Sequence, residues 1–298
     1  MQLRKLLSAF LLSACLYSSG AAADLTTLPL PPGKDVSARF VGTVYRNDLI
    51  ATDDVYHLTQ TNVITFVAGS HSGWHSHGAM TVIGIAGTGL YQEYGKAPVL
   101  IHPGDVKQIP AGVSHFHGAT KNSNFQQFVI YDSQWKPGGT VHAHTRPLTE
   151  SEYRSIPSEE AKKSTHDNQQ GFLFGRSLKK MQSPNFNHPV YLTTLLSKPN
   201  APGSPVWTYV AFPKGTYNRW HSHKTGQVLI ATDGVGYHQI QGQPLQILHP
   251  GDVVFCPPGA IHFHGATPDH TFAHIAINPE DNHEVTWYSF PKIESPKV

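Results

Sequence analysis

His221 and His223 stand two residues apart, and His262 follows the turn-forming run Pro257-Pro258-Gly259 farther along the chain. Residues i and i+2 of a strand point to one face, so the first two imidazoles can converge on the point that a distant strand reaches with the third. Gln227, four residues after His223, can add a side-chain carbonyl. Three imidazoles and one amide oxygen suit a divalent Mn, Fe, Ni, Co or Zn ion. All four donors are neutral, so the ion's +2 charge stays uncompensated and a bound hydroxyl is polarised more strongly than beside a carboxylate. His264, two residues past His262, can face the same cavity as a base near neutral pH. His274 lies in an apolar Ala273-His274-Ile275-Ala276 run. Packing roles for His264 and His274, and a mere spacer role for Gln227, are the competing readings.

The same pattern occurs earlier in the chain. Residues 100–120 and 247–267 align without a gap at 13 of 21 identical positions, both carrying a His-Pro-Gly-Asp turn and a His-Phe-His-Gly-Ala-Thr run. Upstream, Trp74-His75-Ser76-His77 matches Trp220-His221-Ser222-His223, with one residue fewer before the paired glycines Gly87 and Gly234. The first copy thus offers His75, His77 and His115, with His117 as the partner of His264 and Gln127 as that of His274. Its fourth position is Met80 or Thr81, depending on where the deletion falls. Three histidines suffice for a metal with open positions, and a decayed site kept for packing is the alternative.

Short apolar runs at Val63–Val67, Val82–Ile85, Val99–Ile101 and Phe128–Tyr131, bounded by Gly, Pro or Asn, predict strands. Their spacing and the Pro-Gly turns predict an all-β fold of two tandem barrels. Between the copies, Thr149-Glu150-Ser151-Glu152 has a capping-box pattern followed by a polar stretch, which predicts a short helical linker. The boundaries that follow are a first barrel over 38–145, a linker over 146–170 and a second barrel over 171–290. His102 and His249 open the repeated turns and are expected to be structural.

In the second copy, Gly215-(x5)-His221-x-His223-(x3)-Gln227-(x6)-Gly234 and Gly251-(x5)-Pro257-x-Gly259-x-x-His262 resemble the two motifs of the cupin family, with Gln227 where that family commonly has Glu. The resemblance covers nearly all of the chain after its first residues, twice, and implies tandem jelly-roll cupin barrels. The surrounding residues are similar to small manganese cupins of the hydroxynitrile-lyase-like group, related to cupins fused to carboxymuconolactone-decarboxylase domains. That similarity implies manganese as the metal, His221, His223, Gln227 and His262 as ligands, and His264 and His274 as catalytic residues.

Composition narrows the function classes. A net charge of +2 gives no nucleic-acid footprint, and 14% charged residues with 26 Gly and 23 Pro exclude coiled coil, collagen and wholesale disorder. Histidine is the outlier, at 20 residues against 22 Lys plus Arg. Residues 1–23 combine Arg4 and Lys5, an apolar stretch from Leu6 to Tyr17 and Ala21-Ala22-Ala23, the pattern of a secretory signal. Leu12-Ser13-Ala14-Cys15 is a competing lipidation signal; either predicts a periplasmic protein. No later run is long enough to span a membrane. Cleavage after Ala23 would leave Cys256 alone, expected as a small buried apolar residue. Three function classes remain: a metal-dependent lyase or dioxygenase acting on a small metabolite, a ligand-binding or sensing bicupin, and a metal-free sugar isomerase or epimerase, which the His/Gln set disfavours. A monomer and a homodimer are both admissible, since duplication already supplies the surface that single cupins obtain by association.

Overall fold

The structure is a computed structural model that describes residues 24–53, 56, 58–131, 146–156, 172–197, 205–279 and 284–293. The signal-like residues 1–23, Cys15 among them, and most of the linker lie outside the described residues. Two halves follow one plan. In the first, strands β1 (Lys34–Asp35), β2 (Val44–Ile50), β3 (Thr61–Phe66), β4 (Met80–Gly87), β5 (Gly89–Glu93), β6 (Val99–Ile101), β7 (Val106–Ile109), β8 (His115–Ala119) and β9 (Phe125–Tyr131) form a six-stranded sheet ordered β1-β2-β3-β9-β4-β7 and a three-stranded sheet ordered β6-β5-β8. Helix α1 (Glu150–Ser155) comes next.

The second half has β10 (Lys179–Met181), β11 (Val190–Leu196), β12 (Val206–Phe212), β13 (His221–His223), β14 (Gln227–Gly234), β15 (Gly236–Ile240), β16 (Gln246–Leu248), β17 (Val253–Cys256), β18 (His262–Ala266), β19 (Phe272–Asn278) and β20 (Val285–Trp287). They make a six-stranded sheet ordered β10-β11-β12-β19-β14-β17 and a five-stranded sheet ordered β16-β15-β18-β13-β20, with antiparallel pairing throughout.

The two six-stranded sheets explain why strands such as Thr61–Phe66 are buried at every position. One face turns inward, placing Ile64, Phe66, Val82 and Val129 in the first interior and Phe212, Ala231 and Phe272 in the second. The opposite faces meet each other: Val63, Ile83, Ile85 and Phe128 pack with Trp207, Tyr209, Ile230 and Ile275 in one shared core. A strand covered on both sides loses the polar alternation of a half-exposed one.

The leading segment of each half also touches a turn of the other. Leu30 joins the shared core, its N–H donating to Gln126 Oε1 (3.2 Å) and its carbonyl accepting from Gln126 Nε2 (2.8 Å). Pro31 abuts Gly251 in the turn of the other half, while Phe174 reciprocally approaches Gly104. Both glycines hold positive φ, 90° and 98°, a conformation that a side chain would strain. In each turn the His N–H donates to the Asp carboxylate three residues on, at 2.8 Å for both His102–Asp105 and His249–Asp252. The His249 side chain is exposed and that of His102 half-buried.

Gly87 and Gly234 mark the closest approach within each half. Both have positive φ, and a Cβ would collide with Asn124 O or Thr271 O, respectively. The capping box also forms: Glu152 N–H donates to Thr149 Oγ1 (3.2 Å) and Thr149 N–H to Glu152 Oε2 (2.9 Å). The helix it starts is short, covering 150–155, and lays Tyr153 beside Trp74, Leu90 and Phe116.

Candidate metal centres and their histidines

Strand pairing assembles each histidine cluster. His221 on β13 lies opposite His262 on β18, and the bridge between His75 and His115 repeats that contact in the first half. Ring centroids are 4.2 Å apart for His221–His262, 5.1 Å for His221–His223 and 5.6 Å for His223–His262. In the first half His75–His115, His77–His115 and His75–His77 are 4.4, 4.8 and 5.3 Å apart.

Backbone carbonyls set the tautomers. His221 Nδ1 meets Arg219 O and His262 Nδ1 meets Ala260 O, both at 3.0 Å; in the first half His75 meets Gly73 O (2.9 Å), His115 meets Val113 O (2.8 Å) and His77 meets Gly78 O. A carbonyl oxygen only accepts, so each Nδ1 carries the proton and each Nε2 keeps a bare lone pair. The Nε2 atoms of His77, His115 and His223 are buried with no hydrogen-bond partner. Buried polar atoms are rarely left so, and lone pairs converging inside the fold fit a divalent metal. Nitrogen atoms of His75, His77 and His115 lie within 4.8 Å of one another, and so do those of His221, His262 and His264. In the second half it is thus His264, rather than His223, whose nitrogen falls inside that limit.

Gln227 presents its oxygen to the cluster. Its Oε1 is 3.3 Å from His262 Nε2, and its Nε2 donates to Asn278 Oδ1 at 3.1 Å. Register identifies the first-half counterparts. Gln227 pairs with Cys256 as Met80 pairs with Ile109, and Met80 also pairs with Tyr131, which occupies the place of Asn278. The fourth position of the first cluster is therefore Met80, not Thr81, and its amide-holding neighbour is a tyrosine.

Behind the clusters the halves diverge again. His264 N–H donates to Asn218 Oδ1 (3.0 Å), which fixes that amide so that its Nδ2, 3.1 Å from His264 Nε2, is the donor. His264 Nε2 is then unprotonated and accepts from Asn218, and its Nδ1 proton is the one donated to His274 Nε2 at 3.0 Å. In the first half Gln127 Nε2 donates to His117 Nδ1 at 2.9 Å, which puts the His117 proton on Nε2, the opposite tautomer.

Sequence reasoning missed Asn218, Asn278, His238 and Trp287. Trp287 on β20 stacks on His221 at 4.8 Å. Buried His238 donates from Nδ1 to Gln246 Oε1 (2.8 Å) and accepts from the Cys256 thiol (3.2 Å), so Cys256 is buried as expected but has a polar partner. Only His238, on alternate positions from Gly236 in a run next to a motif glycine, left a readable trace; the others depend on distant pairings.

Burial holds all these imidazoles neutral. It lowers His75 and His223 to about 4 and His115, His262 and His274 to about 3, with neighbouring histidines adding to the effect at His75, His115, His262 and His274; His117, His221 and His264 fall well below the usual value for the same reasons. The unfolded chain titrates near pH 6.5, so below that pH it binds protons that the fold refuses. Stability present above pH 6.5 is then lost as pH falls toward 3–4, at up to about 1.4 kcal/mol per pH unit for each histidine. Urea midpoints of chelator-treated protein should drop steeply from pH 7 to 5; a flat profile would contradict neutral buried clusters.

Comparison with known proteins agrees with this architecture. The family described as AraC-like ligand binding domain matches residues 209–286. The chain is 38% identical over 103 residues to the (R)-mandelonitrile lyase of Granulicella tundricola, covering 34% of this chain and 78% of that protein. Among solved structures, the oxalate decarboxylase of Bacillus subtilis, a protein with Mn(II) centres, superposes with TM-score 0.53 at 13% identity over 83% of this chain and 75% of that one. The Lactobacillus farciminis oxalate decarboxylase in its formate complex gives 0.53 at 14% identity, with 83% of each chain covered. No helix among the described residues is long and apolar enough to cross a membrane. The motifs, the duplicated all-β plan and the lyase relative together make this chain a member of the cupin superfamily.

Proposed function

We propose that the protein is an extracytoplasmic, metal-dependent lyase, with two jelly-roll barrels over 38–145 and 171–290 joined by the short helical linker, and that its second barrel carries the reaction. His221, His223, Gln227 and His262 would hold a divalent ion, manganese by preference, and His75, His77 and His115 a weaker one. When bound, the ion supplies Lewis-acid polarisation of a substrate hydroxyl. The observation that carries the reading is His264, which brings a nitrogen beside His221 and His262, keeps an unprotonated Nε2 that Asn218 engages, and is backed by His274.

Once the Asn218 amide N–H gives way to a substrate hydroxyl, His264 Nε2 takes its proton, a carbonyl forms at that carbon and the bond to the leaving carbanion breaks. From a cyanohydrin the products are an aldehyde and cyanide, which leaves with the proton as hydrogen cyanide. His274 accepts the Nδ1 hydrogen bond of His264 and holds its ring, as the third member of a catalytic triad does. Among the described residues no carboxylate pairs with His264 or His274, so the proton is passed on readily. Asn218 fixes the tautomer, and Trp287 walls the site above His221.

The test is release of benzaldehyde and cyanide from mandelonitrile by manganese-loaded mature protein, abolished by chelation and restored by manganese. Tight ligand binding without turnover would instead favour a sensing role, the reading to which the match with a ligand-binding domain points.

Gln227→Glu probes the charge argument. The variant should bind metal at least as well, because a carboxylate adds attraction, after Asn278 turns its amide to donate. It should turn over roughly tenfold more slowly, because the added negative charge weakens polarisation of the hydroxyl. Equal turnover at equal metal loading would remove the argument.

A further inference from the structure

The turn His223-Lys224-Thr225-Gly226-Gln227 carries one proposed metal ligand at each end, so its shape sets the spacing between the two. Little within the turn fixes that shape. Lys224 is exposed, and Gly226 holds a positive φ of 81°. The closing hydrogen bond, from Gly226 N–H to His223 O, is 3.3 Å long, and Gly259 N–H donates to the same oxygen at 2.8 Å. Turns with few packed side chains open locally at low free-energy cost, and opening here separates the two ligands.

A side chain of the other half packs on this turn. Tyr56 lies between β2 and β3, in a loop closed by reciprocal Asp53–Leu58 backbone hydrogen bonds of 3.0 and 2.9 Å. Its own N–H donates to Asp53 Oδ1 at 3.0 Å. The ring is buried in the shared core and meets Phe255 of the second half edge-on, with centroids 5.4 Å apart. At Gly226 a Cβ would lie 2.9 Å from Tyr56 Cε1 and 2.7 Å from Cys256 O. The ring thus rests against the bare backbone of Gly226, one residue before Gln227, and Gln227 in turn pairs with Cys256 across β14 and β17.

The matching turn of the first half, His77-Gly78-Ala79-Met80, is one residue shorter and ends on a methionine. The turn that Tyr56 touches is the longer one, which ends on an amide donor.

We infer that Tyr56 is a positioning residue for the second-half centre: its ring braces Gly226 and holds His223 and Gln227 at the spacing that one ion requires. The inference rests on the metal reading of those two residues. It makes the first half a working part of the second-half centre, although His75, His77 and His115 take no part in it. Groups that orient ligands from outside the coordination sphere typically contribute about 10–100-fold in metal affinity.

Equilibrium dialysis against manganese tests the brace, in mature chains that all carry His75→Ala so that one centre is read. Tyr56→Ala should bind at least about tenfold more weakly and Tyr56→Leu at least about threefold, while Tyr56→Phe, which keeps the ring, stays within about twofold. Ile85→Ala opens a cavity in the same shared core but on β4; it should lower the urea midpoint and bind manganese as the parent does. Amide hydrogen exchange on chelated protein reads the brace without metal. Segment 224–227 should exchange at least about threefold faster in Tyr56→Leu and at the parent's rate in Tyr56→Phe and Ile85→Ala. The inference is overturned if Tyr56→Leu binds manganese as the parent does, if Tyr56→Phe loses as much as Tyr56→Leu, or if Ile85→Ala weakens binding equally. Parent chains that take up no manganese would fail the metal reading alone, and the exchange rates would still decide whether Tyr56 braces the turn.

Discussion

Replacing His221 with alanine is expected to remove one equivalent of metal per chain and to lower turnover at least about 10³-fold, the loss of several kcal/mol of charge stabilisation. The ring is central in the second cluster. It lies 4.2 Å from His262 and 5.1 Å from His223, its Nδ1 proton is committed to Arg219 O, and Trp287 stacks on it. Alanine removes the imidazole that lies opposite His262 across the β13–β18 pairing. His75→Ala should remove the other, weaker equivalent while turnover stays within about threefold, because His117 presents a protonated Nε2 and cannot serve as the same base. Elemental analysis and kinetics on the two variants separate the halves. Unchanged metal content in His221→Ala would refute the ligand assignment.

His264→Ala is expected to keep its metal and lose about 10²–10⁴-fold in turnover, the usual contribution of a positioned general base. His264 and His223 compete for one role, since the structure brings the His264 nitrogen within 4.8 Å of His221 and His262 while His223 Nε2 points into the fold unpaired. The assignment made above requires His223→Ala to lose metal and His264→Ala to retain it. The reverse outcome would make His264 a ligand and leave the site without its base. His274→Gln copies the first half, where Gln127 faces His117. It should reverse the His264 tautomer and cut turnover by about tenfold or more, with a shifted pH profile and unchanged metal content.

Much of this was legible in the chain itself. The HxH pair, the remote Pro-x-Gly-x-x-His and their repetition reveal a duplicated all-β plan, because strand periodicity and turn chemistry are local properties that residue spacing carries directly. The capping box at Thr149 and the His-Pro-Gly-Asp turns were readable for the same reason: each is closed by hydrogen bonds within three residues. Gln227 could be singled out by spacing alone, but not its orientation.

The tertiary structure decided what depends on partners far away in sequence. Register across β4 and β7 placed Met80, not Thr81, at the fourth position, since a one-residue deletion can be absorbed at several points of a loop but at only one point of a ladder. Asn278, 51 residues from Gln227, turns that amide toward His262, and Asn218, 46 residues from His264, selects the tautomer of the base. The shared core between Phe128 and Trp207 arises the same way. Residue types and short spacings determine which chemistry is on offer; the direction of a lone pair is set by whichever neighbour the folded sheets bring against it.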